Sequence, residues 1–224
     1  MVLLIYCAGG LGREVCELAE GVNERDHRWI EIAFVDDGIS DEEVHGKRVI
    51  SYECIIDGKM FAPDEVEFVI ASGEPKIRKE LFDKVDGDGF SFATIVSPYA
   101  IITKSVTIGK GTIVQPYAQL SVDVKIGENV FIQGSALVGH DSRVGAHSVI
   151  SSLCLIAGSV DIKEKVYIGP LTGVKQGLTI GNDSIVGMGS VVLRNVKPDV
   201  IVRGDPAKKI GDNTEGSVFS MFKR

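Results

Sequence analysis
The six residues from Leu137 to Ser142 read LVGHDS and set a histidine, His140, directly before an acid, Asp141. Imidazole exchanges its proton near neutral pH, and an adjoining carboxylate can orient the ring and help it carry charge. Beside a nucleophile such a pair acts as a general base, a role worth about 10² to 10⁴ in rate. A lone histidine is equally well an inert surface side chain, so its surroundings decide.

Those surroundings are periodic. From Ile102 every sixth residue is Ile, Val or Leu, through Ile108, Val114, Leu120, Ile126, Ile132 and Val138 to Val192, without a break. Glycine often follows, as at Gly109, Gly127, Gly139, Gly145 and Gly169, and small side chains such as Ala118, Ala136 and Ser148 stand two residues before. No helix produces this pattern, and a hairpin sheet needs longer strands between its turns. Short strands with a corner every six residues form a hexapeptide β-helix, the aliphatic column pointing inward. Three hexads close one triangular coil, and the run supplies about five coils. Val138 points inward, so His140 lies at a corner and points out. One coil further on the same corner holds Gly158, which leaves room beside the imidazole and exposes backbone groups.

The first 95 or so residues keep a different rhythm. VLLIYCA is a continuous apolar run ending at Gly9-Gly10, as in a buried parallel strand. A helix follows with Val15, Leu18, Ala19 and Val22 on one face. EIAFVDD reads as a second strand ending at Asp36-Asp37, and EVEFVIASG as a third. A helix carrying Ile77, Leu81 and Val85 then leads to a closing strand, FSFATIVS. This βαβ order predicts a small Rossmann-like α/β domain over residues 1–95 and a β-helix domain with a C-terminal tail over 96–224. Ligands are expected at the carboxyl ends of the strands, where the glycine loop, the two aspartates and the SGEP loop with Gly73 and Glu74 converge.

The totals narrow the function classes. The net charge is −7 with Lys and Arg scattered, which speaks against nucleic acid or an anionic membrane as a partner. The four cysteines form no CxxC pair, which fits reduced thiols in a cytoplasmic protein. The opening apolar run is too short to span a bilayer and lacks the basic flank of a signal peptide. A zinc site of the β-helix carbonic anhydrase kind needs three histidines, and the coil region has only His140 and His147, so no metal is expected.

The hexad array, the GHD corner and the later VRGDPAKKI segment together resemble the hexapeptide-repeat acyltransferases. With IYCAGGLGREV, AFVDDG and IASGEPKIRKEL in front, nearly the whole chain resembles the subfamily of sialic acid O-acetyltransferases and nucleotide-4-amino-sugar N-acetyltransferases. That resemblance implies a left-handed parallel β-helix, a homotrimer, acetyl-CoA bound between subunits and a nucleotide-linked amino sugar as acceptor. It makes His140 the base and Asp141 its acid, and lays Gly158, Pro170 and Met188 along the pantetheine arm. It sets GDPAK near the nucleotide end of CoA. It aligns Gly9, Gly10 and Leu11 with the acceptor phosphates and Asp36 and Asp37 with the uracil or ribose of the nucleotide sugar. Arg78 is a candidate phosphate partner, or a residue on a solvated helix face.

There are departures. Cys7 and Leu11 replace a glycine and a histidine of the family loop, and Val149 stands where relatives carry a second histidine. His147 reaches the thioester only if a neighbouring subunit brings it there, and is otherwise a surface histidine. Gln133 either hydrogen-bonds near the base or caps a turn. The residues do not separate an amine acceptor from a hydroxyl one. A non-catalytic β-helix that only binds stays open as well.

Overall fold
The computed structural model describes residues 1–57 and 60–218. The first part is a six-stranded sheet flanked by helices. Strand β1 (Val2–Tyr6) is buried along its whole length and leads into helix α1 (Gly10–Asp26), then strand β2 (Glu31–Val35). A hairpin of β3 (Glu43–Val44) and β4 (Lys47–Ile50) and a short helix α2 (Tyr52–Asp57) follow. Next come β5 (Val66–Ile70), helix α3 (Pro75–Gly87) and the short strand β6 (Ser91–Phe92). The sheet order is β3-β4-β2-β1-β5-β6, with β1 parallel to both β2 and β5. The chain steps first to one side of β1 and later to the other, so a topological switch point opens between β1 and β5.

Three features differ from the sequence expectation. The hairpin and α2 were not foreseen, because their short, mixed-polarity segments carry no clear period. The closing strand is two pieces: Phe92 still pairs with β5, whereas Ile95–Val96 pairs with Ile113–Val114 and begins the coils. The buried face of α3 is Pro75, Arg78, Phe82 and Val85, with Ile77 exposed and Leu81 only partly covered. An arginine inside that face hid it from a pattern built on apolar residues.

From Ile95 the chain winds through two-residue strands that pair in parallel with the strand one coil away, such as Leu137↔Leu155 and Val138↔Ile156. The strands form three sheets along the faces of a triangular prism. Val114, Leu120, Ile126, Ile132, Val138 and their successors fill its interior. Each buried aliphatic side chain contributes about 1.5–3 kcal/mol. From Gly111 to Gly189 each corner has a residue at positive φ, among them Tyr117 (63°), Asp141 (59°), His147 (60°) and Leu153 (61°). That backbone costs a non-glycine residue roughly 1–2 kcal/mol. It is offset by a hydrogen bond to the coil below, as from Asp141 N–H to the Val122 carbonyl (3.0 Å) and Ser159 N–H to the His140 carbonyl (2.7 Å).

One prism face is not solvent-exposed. The outer side chains Ile95, Ile113, Phe131 and Val149 join Val15, Ala19 and Val22 of α1 in one buried cluster, so the two parts share a core. The last coil is topped by an antiparallel pair, Val200–Arg203 and Lys208–Asp212, with the GDPAK turn between them. The tail then returns to the front part. Val218 packs on Ile185 and Ile201, Ser217 Oγ donates to Glu74 Oε1 (3.2 Å) and Val218 N–H to Glu74 Oε2 (2.7 Å). Residues 213–218 make contacts within the chain, and the tail's remaining residues lie outside the described ones.

Candidate functional site
The corner after Leu137–Val138 presents His140 to solvent. Its Nδ1 lies 2.8 Å from Asp141 Oδ2. An ionised carboxylate only accepts, so Nδ1 carries the proton and Nε2 keeps a free lone pair. Ser142 locks the turn, its Oγ donating to the Ala157 carbonyl (3.0 Å) and accepting from Val160 N–H (3.1 Å). Gly158 stacks directly above. A Cβ there would overlap Nε2 and lie 2.6 Å from Cε1, so only glycine leaves the ring its position. The imidazole therefore lies across the bare backbone of Gly158, with its side chain exposed at the corner.

Pro170 and Met188 occupy the edge that follows the covered face, stacked with Gly189 N–H donating to the Pro170 carbonyl (2.8 Å). One prism face, carrying Leu137 and Leu155, separates this edge from His140 and Gly158. Within a single chain the four residues are not brought together. Gln133 sits on the Pro170 edge too, where its Oε1 accepts from Ser152 N–H (3.1 Å). It caps a turn and does not reach the base. Val149 is fully buried beneath the front part.

His147 is on the third edge and is 5 % exposed, which corrects the surface reading and sets it apart from the corner of His140. Asn129 Nδ2 donates to its Nδ1 (3.0 Å), and Phe82 of α3 meets the ring edge-on at 5.2 Å. Burial, joined by the nearby cations Lys79 and Arg78, pushes its pKa down to about 4 against the weaker pull of Asp83, so the ring is neutral.

Arg78 is likewise corrected: it is 0 % exposed and faces no phosphate site. Its guanidinium donates to the carbonyls of Ile70 (2.6 Å), Ser72 (3.0 Å) and Asn129 (2.9 Å) and to Asn129 Oδ1 (2.7 Å). Asn129 Nδ2 returns a bond to the Arg78 carbonyl (2.9 Å). Burial lowers the guanidinium pKa to about 9, which still leaves it charged at neutral pH. Sequence reasoning missed Asn129 and this linkage; the only signal was Arg78 in register with Phe82 and Val85 on one helix stripe.

At the switch point the front loops converge. Cys7 takes φ 82°, and a Cβ on Gly12 would fall on the Cys7 carbonyl oxygen, so the strand-to-helix turn requires that glycine. Gly9 and Gly10 are exposed with open space above them, and Gly9 leaves the start of α1 without a side-chain cap. Ala71 N–H bonds to the Tyr6 carbonyl (2.9 Å), which brings the Ser72–Gly73–Glu74 loop alongside. Leu11 is partly buried against the shared core.

The two aspartates part company. Asp36 accepts from Ala8 N–H (2.8 Å) and Gly38 N–H (2.9 Å) and so shapes the glycine loop. Asp37 turns away to accept from the Tyr6 hydroxyl (2.7 Å), Tyr52 N–H (2.7 Å) and Lys84 (3.4 Å). Partial burial would raise its pKa, but these donors outweigh it and hold the carboxyl below its ordinary range. Asp37 borders a separate cleft of about 540 Å³ with Ser51, Tyr52 and Lys84. The carboxylate of Glu74 is engaged by the tail. Among the described residues no group of three or more His, Cys, Asp and Glu is arranged to hold a metal ion, and no helix is long and apolar enough to cross a membrane.

A triangular β-helix with an outward histidine–aspartate pair, joined to a small nucleotide-type α/β unit, places the protein in the class of left-handed hexapeptide-repeat proteins with a front domain. Comparison with known proteins agrees. Residues 2–85 match the family model of the PglD N-terminal domain. WeeI from Acinetobacter baumannii AYE is 30% identical, with a TM-score of 0.86 over 94% of this chain and 100% of that one. The acetyltransferase domain of PglB from Neisseria gonorrhoeae FA1090 is 27% identical, with a TM-score of 0.87 over 93% of this chain and 99% of that one. PerB from Caulobacter crescentus, solved with CoA and GDP-perosamine, is 29% identical, with a TM-score of 0.84 over 94% of this chain and 98% of that one. A curated relative, the acyl-(acyl-carrier-protein)–UDP-N-acetylglucosamine O-acyltransferase of Burkholderia orbicola, is 37% identical over 68 residues; the match spans 30% of this chain and 26% of that protein. The chain belongs to the hexapeptide-repeat sugar acetyltransferases.

Proposed function
We propose that the protein transfers an acetyl group from acetyl-CoA to the amino group of a nucleotide-linked amino sugar, with His140 as general base. The observation that carries this reading is the His140–Asp141 pair at 2.8 Å, exposed at its corner and seated over Gly158, where any Cβ would displace the ring. The solved complexes of PglB with acetyl coenzyme A and of PerB with CoA and GDP-perosamine support the choice of co-substrate and acceptor.

The residues present fit acetyl-CoA, because the edge that carries the exposed His140 is backbone without a side chain at Gly158, against which an extended pantetheine chain could run. Acetyl-CoA would supply an activated acyl carbon, its carbon–sulfur bond breaking as the new carbon–nitrogen bond forms, with CoA leaving as the thiol. His140 Nε2 removes a proton from the acceptor amine as that nitrogen attacks, and returns it to the leaving sulfur. Asp141 holds the Nδ1 proton and stabilises the imidazolium that forms in between. No acyl-enzyme is required, because the amine is itself the nucleophile.

The nucleotide end goes to the front unit, residues 1–95. Gly9, Gly10 and Leu11 at the uncapped start of α1 suit the phosphates, since free N–H groups and the helix dipole favour negative charge there. Gly73 and the Asp36-braced loop form the walls. The assembly is a homotrimer in the cytoplasm, where acetyl-CoA is at hand. Tyr117, Leu153, Leu155, Leu171 and Met188 are all more than half exposed along one face and edge, an apolar strip that a neighbouring copy would cover. That packing would carry the Pro170–Met188 edge of one copy to His140 of the next.

The test is thiol release from acetyl-CoA with UDP-, dTDP- and GDP-linked 4-amino sugars, comparing the wild type with His140→Ala. The expected result is turnover of one amino sugar, reduced about a hundredfold or more in the variant. Turnover of a sialic acid or another hydroxyl acceptor alone would move the protein to O-acetylation. Equal rates in both proteins would remove His140 from the reaction.

A further inference from the structure
The loop of residues 71–74 closes one side of the switch-point crevice, yet what holds it comes from outside the front sheet. Arg78, one turn into α3, bonds the carbonyls at its start, Ile70 and Ser72, and reaches Asn129 on the third edge of the β-helix. Asn129 is saturated by this arrangement. Its Oδ1 accepts from Arg78, and its amide hydrogens go to the Arg78 carbonyl and to His147 Nδ1. His147 closes the same coil that carries His140 at its neighbouring corner.

A fully buried guanidinium bonded only to neutral oxygens is costly to desolvate, and an apolar side chain would fill the space with less penalty. What only the guanidinium supplies is geometry: its rigid fork bonds the loop and the β-helix at once, in one relative placement. We propose that Arg78 is a positioning residue, which through Asn129 sets loop 71–74, and the acceptor nucleotide resting on it, at a fixed height relative to the coil of His140. The acceptor part of this proposal rests on the crevice being the nucleotide site.

Arg78→Lys keeps the charge and loses the fork. Asn129→Gly tolerates the left-handed backbone at that corner (φ 51°) and loses the side-chain half of the linkage, so it serves if the lysine variant does not fold. A displaced loop weakens binding of the acceptor resting on it, and such a loss reads as a raised KM, so a KM for the amino-sugar nucleotide raised about tenfold or more is expected, with the KM for acetyl-CoA unchanged. Amide hydrogen exchange is read on the same proteins and needs no substrate. Faster exchange at 71–74, with the coil strands around His140 unchanged, is the expected result. Unchanged exchange at 71–74 would overturn the proposal, as would a fall in kcat with both KM values intact, which marks a smaller folded fraction only. If the wild type acetylates no amino sugar, the nucleotide reading fails, and the exchange comparison still decides whether Arg78 sets the loop.

Discussion

At the scale of single residues, the proposed mechanism depends on what is missing beside His140 as much as on the ring. Asp141 sets the tautomer, and Gly158 contributes by having no side chain. Gly158→Ala should therefore cost activity without unfolding the protein. The added methyl meets the exposed imidazole, which can swing away, and position 158 is not at positive φ. The expected outcome is a loss of about tenfold or more in turnover, of the order a misplaced base costs, with a melting temperature near that of the wild type. A collapse in melting temperature would instead make Gly158 a packing residue. The aspartates teach a related lesson: adjacent at the end of β2, they face opposite ways, so Asp36 braces the glycine loop while Asp37 serves a tyrosine–lysine cluster.

At the scale of elements, α3 links the two parts, docked on the β-helix by Phe82, Arg78 and the neutral His147. The folded pKa of His147, about 4, lies below the ordinary 6.5. The unfolded chain therefore binds this proton more tightly, and stability is intact above the unfolded value and lost as pH falls from about 6.5 through 4. The charged and titratable groups around the ring are Arg78, Lys79 and Asp83 on α3 and Lys165 on the next coil. His147→Asn keeps a residue that accepts the left-handed corner and removes the titration. Thermal melts between pH 7 and 4 should show a shallower loss in this variant than in the wild type. Parallel slopes would assign the acid sensitivity elsewhere.

At the scale of the whole molecule, one prism face is covered by the front part and another is left apolar and bare. Leu155 is more than half exposed on the bare face. On the proposed trimer a charge there would be buried unpaired at the contact, which is strongly unfavourable. Leu155→Glu should lower the mass measured by light scattering and abolish acetyl transfer while the fold persists by circular dichroism. A variant of unchanged mass and activity would show that this face is not the contact.

The sequence by itself determined the repetitive half almost completely. A period of six with an inward aliphatic column is a local rule, repeated until one solution remains, and from it follow the corner of His140 and its alignment with Gly158. The βαβ order of the front part was legible for the same reason, since buried parallel strands are continuous apolar runs. What only the tertiary structure decided are the contacts between unlike parts: Arg78 with Asn129, His147 beneath Phe82, Glu74 with the tail, and the opposed aspartates. A buried arginine and an exposed one read alike in sequence, because burial depends on which surface arrives from elsewhere in the chain. For the same reason His140 and the Pro170–Met188 edge could be read as one site, although within one chain a full face of the prism divides them.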